Sequence, residues 1–111
     1  NWSKTVLEWN LAADENQLPH TDRGGCDRCL GAITITGDNI IRNPAYYIIA
    51  HASKFVPTGS VRIDSNNDED VINVAYLTPE GYTVVILQNK KSTTSKVQLK
   101  ENEKAINVLL S

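Results

Sequence analysis

The chain has 111 residues, 41% of them hydrophobic, and carries 11 Lys and Arg against 13 Asp and Glu, a formal net charge of -2. That length suits one domain or a piece of a larger one, and the weak, scattered charge argues against nucleic-acid binding, which needs a concentrated basic face and, for single strands, stacking aromatics. No apolar run reaches the roughly 18 residues of a membrane-spanning helix, and two cysteines are too few for a disulfide scaffold.

The chain opens at Asn1-Trp2-Ser3, without Met and without an export-signal pattern, as an excised piece would. The stretch Lys4-Thr5-Val6-Leu7-Glu8-Trp9 is β-branched and apolar and predicts a short strand. Asn10 to Leu30 is rich in loop formers, among them Asp14, Pro19, Asp22, Gly24, Gly25 and Asp27. A loop of that length is usually functional or disordered. Ala32–Ile35 predicts a second strand, Gly37-Asp38-Asn39 a turn, and Ile40-Ile41 a hairpin return. Asn43 is a good N-cap, and Pro44 suits the first helical position, where its missing N–H costs nothing. The helix runs to about Phe55, with Tyr46, Ile49, Ala50 and Ser53 on one stripe, and Pro57 and Gly59 end it.

Beyond Gly59 the period changes to two. Strands are predicted at Ser60–Asp64 and Val71–Leu77, the latter with Val71, Asn73, Ala75 and Leu77 on one face. Thr78-Pro79-Glu80-Gly81 is a turn. Tyr82–Leu87, nearly all apolar, predicts a central strand. Lys90–Thr94 is a polar turn, Ser95–Leu99 alternates with Val97 and Leu99 inward, and Ala105–Leu110 is the last strand. Strands at this spacing argue a β-sandwich. The chain therefore divides near Pro57 into a strand–loop–helix part, 1–56, and an antiparallel β part, 57–111.

Cys26-x-x-Cys29 admits several readings. Zinc needs four ligands, and only His20 is near. A thioredoxin-like site wants a helix N-terminus after a strand, whereas this pair lies in a Gly-rich loop. A local disulfide pinning the loop fits an exported protein, and a pair of free thiols is the remaining reading. Asp64-x-Asn66-x-Asp68-x-Asp70 imitates the start of a calcium loop, but Glu69 stands where glycine is needed and Ala75 where the closing glutamate is needed, so a polar turn is expected. His51 reads as a packing residue of the helix. No metal site and no cofactor is expected.

Three strings carry a family resemblance. Glu8-Trp9-Asn10-Leu11-Ala12 resembles the motif closing the eighth barrel strand of glycoside hydrolase family 30, the glucosylceramidase-like and β-1,6-glucanase-like enzymes. His51-Ala52-Ser53-Lys54-Phe55-Val56-Pro57-Thr58-Gly59-Ser60-Val61-Arg62 resembles that family's passage from the last barrel helix into its side domain. Pro79-Glu80-Gly81-Tyr82-Thr83-Val84-Val85-Ile86-Leu87-Gln88-Asn89 resembles its hairpin. Gly24-Gly25-Cys26-x-x-Cys29-Leu30-Gly31 looks closer to bacterial and β-glucanase-like members.

The resemblance implies an α+β fragment: the last strand, loop and helix of a (β/α)8 barrel, followed by an antiparallel β-sandwich. The parent would be a secreted or periplasmic retaining β-glycosidase, with two glutamates about 5 to 5.5 Å apart as acid/base and nucleophile. In the family these sit on the fourth and seventh barrel strands, upstream of residue 1, so the fragment alone is expected to be inactive. Glu8 would then have a structural or supporting role. Trp9 would line the sugar subsite, stacking its indole on a sugar face; the bland alternative is a core Trp joining strand to helix. Asn10 would either bond a sugar hydroxyl or cap the loop. His20, Arg23 and Arg28 would lie on the last loop of the catalytic face and, taken singly, read as solvated.

The expected partner is a carbohydrate or glycolipid substrate reached through the parent enzyme. The alternatives are a free-standing carbohydrate-binding β-module and a structural or oligomerising β-domain. Unpaired sheet edges predict that the isolated fragment self-associates.

Overall fold

A computed structural model describes residues 5–66 and 68–111. The chain forms two compact units, Asn1–Ser53 and Lys54–Ser111. In the first, β1 (Ala12–Ala13) pairs in parallel with β2 (Ile33–Thr36), and β2 pairs antiparallel with β3 (Asn39–Arg42), giving the order β1-β2-β3. Gly37 has φ +56° at the first position of the two-residue β2–β3 turn, a place where glycine suits the strand twist.

Of the strand expected at Lys4–Trp9, Lys4 lies outside the described residues and residues 5–9 are not in a strand; the paired segment is Ala12–Ala13. Propensity is satisfied only where a neighbour supplies hydrogen bonds. Here the neighbour is β2, whose Ala32 and Ile33 amides donate to the Asn10 and Leu11 carbonyls at 2.8 and 3.0 Å. The expected structureless stretch from Asn10 to Leu30 accordingly contains β1 and a tight turn at Asp14, whose Oδ1 accepts the Asn16 and Leu18 amides, each at 2.8 Å.

Helix α1 spans Pro44–Phe55, as its cap and proline predict. Asn43 stands just before it and its carbonyl accepts the Tyr46 amide at 3.0 Å. Arg42 lies over the Tyr46 ring at 5.3 Å, and Tyr46 and Tyr47 meet edge to face with centroids 5.4 Å apart. His51 is exposed rather than packed, and its Nδ1 is 2.6 Å from the Tyr47 carbonyl.

In the second unit β4 (Val61–Ile63), β5 (Val71–Leu77) and β6 (Thr83–Asn89) form an antiparallel meander, and β7 (Ser95–Glu101) pairs with β8 (Lys104–Leu110) as a separate hairpin. The register puts Val61, Ile63, Val71, Asn73, Ala75, Leu77, Thr83, Val85 and Leu87 on one face of the three-stranded sheet. That face and the Val97 and Leu99 side of the hairpin line one groove, which is the sandwich interior. The central strand is β5; β6, expected to be central, lies at the sheet edge. Its unbroken apolar run reflects half-burial on both faces, through Val84 and Ile86 on one side and Val85 and Leu87 on the other. Side-chain pattern reports what covers a strand's faces, not its lateral place in the sheet.

Among the described residues the buried hydrophobic side chains are small: Ala13 in the first unit, Val71 and Ala75 in the second. Larger apolar groups stay open, including Tyr47, Ile48 and Phe55 on the helix, Val61 and Leu77 on the sheet, and Ile106 and Leu109 on the hairpin.

Candidate functional site

Trp9 and Asn10 sit where the chain enters β1. Trp9 is 74% exposed, which leaves the indole free to stack. Asn10 differs: its Oδ1 is buried and has no hydrogen-bond partner among the described residues. A buried carbonyl oxygen without a partner costs about 1–3 kcal/mol, and at this depth Asn10 Oδ1 meets a ligand hydroxyl only if the segment shifts. The peptide joining Trp9 and Asn10 is cis.

Three features hold this segment. The Asn10 carbonyl accepts the Ala32 amide, as described above. Gly31 lies so close that a Cβ there would stand 2.8 Å from Ala12 Cα and 2.7 Å from the Ile33 carbonyl oxygen, which leaves room for glycine alone. Asn43, itself buried, donates from Nδ2 to the Gly31 carbonyl at 2.7 Å and to Thr34 Oγ1 at 2.9 Å, while its amide donates to the Ala32 carbonyl at 2.9 Å. The sequence marks Asn43 only as a helix cap. Nothing in the chain order flags Thr34, and Gly31 enters only as the close of the Gly24–Gly31 string, because these contacts join segments 9 to 12 residues apart.

The intervening loop carries the other site candidates. Cys26 and Cys29 are joined, with Cα atoms 5.5 Å apart. Thr21 Oγ1 donates to the Gly24 carbonyl at 2.7 Å. His20 and Arg23 are exposed, and Arg28 approaches only Asp27, at 3.7 Å, in a solvated pair of little energetic weight. Glu8 is exposed. A shallow hollow of about 420 Å³ lies beside β1, lined by Ala12, Ala13, Asp14, Leu18, Pro19 and Ile35; Trp9 and Asn10 do not line it.

The second unit has a larger opening, the groove of about 1120 Å³ between the sheet and the hairpin. Asn73 contributes to its wall; Nδ2 donates to the Asn66 carbonyl at 2.6 Å, while Oδ1 is buried and has no partner among the described residues. The acidic run beside it, in which Asn67 lies outside the described residues, forms a turn. Asp68 Oδ1 accepts the amides of Asp70 and Val71 at 2.8 and 3.2 Å, and Asp70 pairs with Lys91. Those two amide bonds, the Asp70 one foremost, hold the Asp68 carboxyl below its ordinary value of 3.8. A carboxyl depressed on folding adds stability above its unfolded value and loses it as pH falls through the folded one. The turn before β5 should therefore keep its structure through mildly acidic pH and loosen only below 3.8. An NMR titration of the Asp70 and Val71 amides checks this, and a midpoint at or above the ordinary value contradicts it.

Residues 59–110 match the β-sandwich domain of glycosyl hydrolase family 30. The endo-1,6-beta-D-glucanase neg1 of Aspergillus fumigatus is 33% identical over 95 residues, 80% of this chain and 20% of that protein. The lysosomal acid glucosylceramidase of Mus musculus is 33% identical over 87 residues, 77% of this chain and 17% of that protein. The solved structure of an endo-β1,6-glucanase superimposes with a TM-score of 0.79 at 32% identity, over 90% of this chain and 23% of that one. The chain thus spans about a fifth of the length of the relatives it matches.

Proposed function

Because residues 59–110 are a family 30 glycosyl hydrolase β-sandwich domain, we propose that the chain is the carboxyl-terminal part of a retaining β-glycosidase acting on β-glucosides. In this reading residues 1–56 supply the last strand, loop and helix of a (β/α)8 barrel, and residues 57–111 its β-sandwich. The observation that carries it is the match of residues 59–110 to that sandwich domain, together with an open indole at Trp9 on a segment held by hydrogen bonds from the Gly31–Ala32 stretch. An exposed indole offers the apolar surface on which the face of a sugar ring stacks. The many open apolar side chains support a chain whose faces are covered by further polypeptide.

The two carboxylates that cleave the bond would come from that further polypeptide, so the 111-residue chain would bind at most weakly and turn nothing over. The full-length enzyme should hydrolyse an aryl β-glucoside with retention at the anomeric carbon, read by NMR of the first-formed product; the chain alone should release no aglycone. An inverted product, or turnover by the chain alone, refutes the mechanism. Trp9→Ala in the full-length enzyme should lower kcat/KM by about tenfold or more, since stacking on a sugar face is lost.

An exported location follows from the same reading, and the Cys26–Cys29 bond is of the kind that persists outside reducing compartments. Taken alone, the chain presents β6 as an open sheet edge and should associate through such edges; light scattering that shows a clean monomer at high concentration contradicts this. A second reading, a glycan-binding module, is favoured by the β-rich second unit and its exposed Tyr82. Tight titration of the 111-residue chain with β-glucan oligosaccharides would support it over the first.

A further inference from the structure

We infer that Asn43 is a positioning residue for the sugar subsite, acting on Trp9 and Asn10 through the single peptide unit between Gly31 and Ala32. This rests on the proposed role of Trp9. The Gly31–Ala32 peptide is bonded at both ends: its carbonyl accepts Asn43 Nδ2 at 2.7 Å, and its N–H donates to the Asn10 carbonyl at 2.8 Å. The next carbonyl, that of Ala32, accepts the Asn43 amide at 2.9 Å, so Asn43 grips both carbonyls flanking that N–H. Its second Nδ2 bond, to buried Thr34 Oγ1 at 2.9 Å, fixes the side-chain amide in rotation.

Hydrogen bonds linked through one peptide polarise each other, and removing a donor at one end weakens the other. Gly31 runs close to β1, since a Cβ there would stand 2.8 Å from Ala12 Cα. The position of the Asn10 carbonyl is therefore tied to Asn43, more than thirty residues on in the chain. Trp9 is exposed. The backbone of the residue that follows it is what aims the indole, and displacements below an ångström at a positioning group are felt in substrate affinity.

The test is a double-mutant cycle in the full-length enzyme with an aryl β-glucoside, with rates expressed per titrated active site. Asn43→Asp keeps the shape, removes both Nδ2 donations and turns an oxygen toward the Gly31 carbonyl. It should raise KM about fivefold while kcat changes less than about twofold. In a Trp9→Ala background the same change should leave KM nearly unaltered, since the group it aims is gone. Thr34→Val should give a smaller rise, and Thr34→Ser, which retains the hydroxyl, none. Equal KM increases with and without Trp9, or a loss of thermal stability with KM unchanged, would overturn the inference and leave the glycosidase reading standing. If Trp9→Ala alone leaves KM unchanged, the stacking role of Trp9 fails, and this inference with it.

Discussion

Asn89→Ala is expected to destabilise the second unit by about 2–3 kcal/mol, the loss of four hydrogen bonds, two of them part-buried, at roughly 0.5–1 kcal/mol each. Asn89 closes β6 and uses its full side-chain capacity. Nδ2 donates to the Thr93 and Leu110 carbonyls at 2.8 and 3.0 Å, and Oδ1 accepts the Lys91 amide and the Ser95 hydroxyl at 3.0 and 3.1 Å. One side chain thus ties the end of the three-stranded sheet to the turn that follows it and to the last strand of the hairpin. Thr83 Oγ1, which donates to Glu101 Oε1 at 2.6 Å, makes a second tie at the other end of β6, but it is exposed and contributes less. Asn89→Asp separates shape from bonding. It preserves volume and both acceptors but sets a carboxylate oxygen against two carbonyls, so it should cost at least as much as alanine. Urea unfolding of the wild type and both variants measures this; an aspartate variant as stable as the wild type would show that the Nδ2 bonds carry no weight.

The second large effect falls on Gly31. Gly31→Ala should cost about 2–3 kcal/mol, at the upper end of overpacking, because the new Cβ would lie 2.7 to 2.8 Å from the Ile33 carbonyl oxygen and from Ala12 Cα and C. These are backbone atoms, which cannot swing aside as a side-chain tip can. Relief means separating β1 from the loop end, which stretches the bond from the Ala32 amide to Asn10. The defect should therefore appear twice: as a lower unfolding midpoint, and as faster hydrogen exchange at Ala32 and Ile33. Gly37→Asn is the control. Nothing stands within 4 Å of a Cβ there and φ is +56°, a region asparagine tolerates, so its cost should stay below about 1 kcal/mol. Equal costs at the two positions would show that the close approach at Gly31 relaxes freely.

Much of the fold was legible because it is written in local signals. Asn43-Pro44 and Pro57 bracket the helix within a residue of its observed span, and the alternation in Val71–Leu77 and Ser95–Leu99 identifies strands and their inner faces. The signals failed where pairing, not propensity, decides. Val6 and Leu7 have strand character but lie outside any strand, while two alanines of weak propensity form β1 because β2 lies beside them. The β6 run was apolar enough to suggest a central strand and proved an edge.

The candidate site divides the same way. Trp9 and Asn10 could be named because the string Glu8–Ala12 resembles a family motif, and the cysteine pair because two cysteines three apart are a local pattern. Asn43, Thr34 and Gly31 could not be joined to them, and neither could Asn89 be seen as the clasp of two sheets. Period and capping are properties of neighbouring residues, so the chain order alone determined the element types, the helix limits and the family motifs. Which backbone atoms meet across the loop between β1 and β2, and which polar side chains find buried partners, depends on closing that loop and pairing distant strands. Only the folded arrangement, in which unbonded buried groups are costly and two chains compete for the same space, settles those contacts.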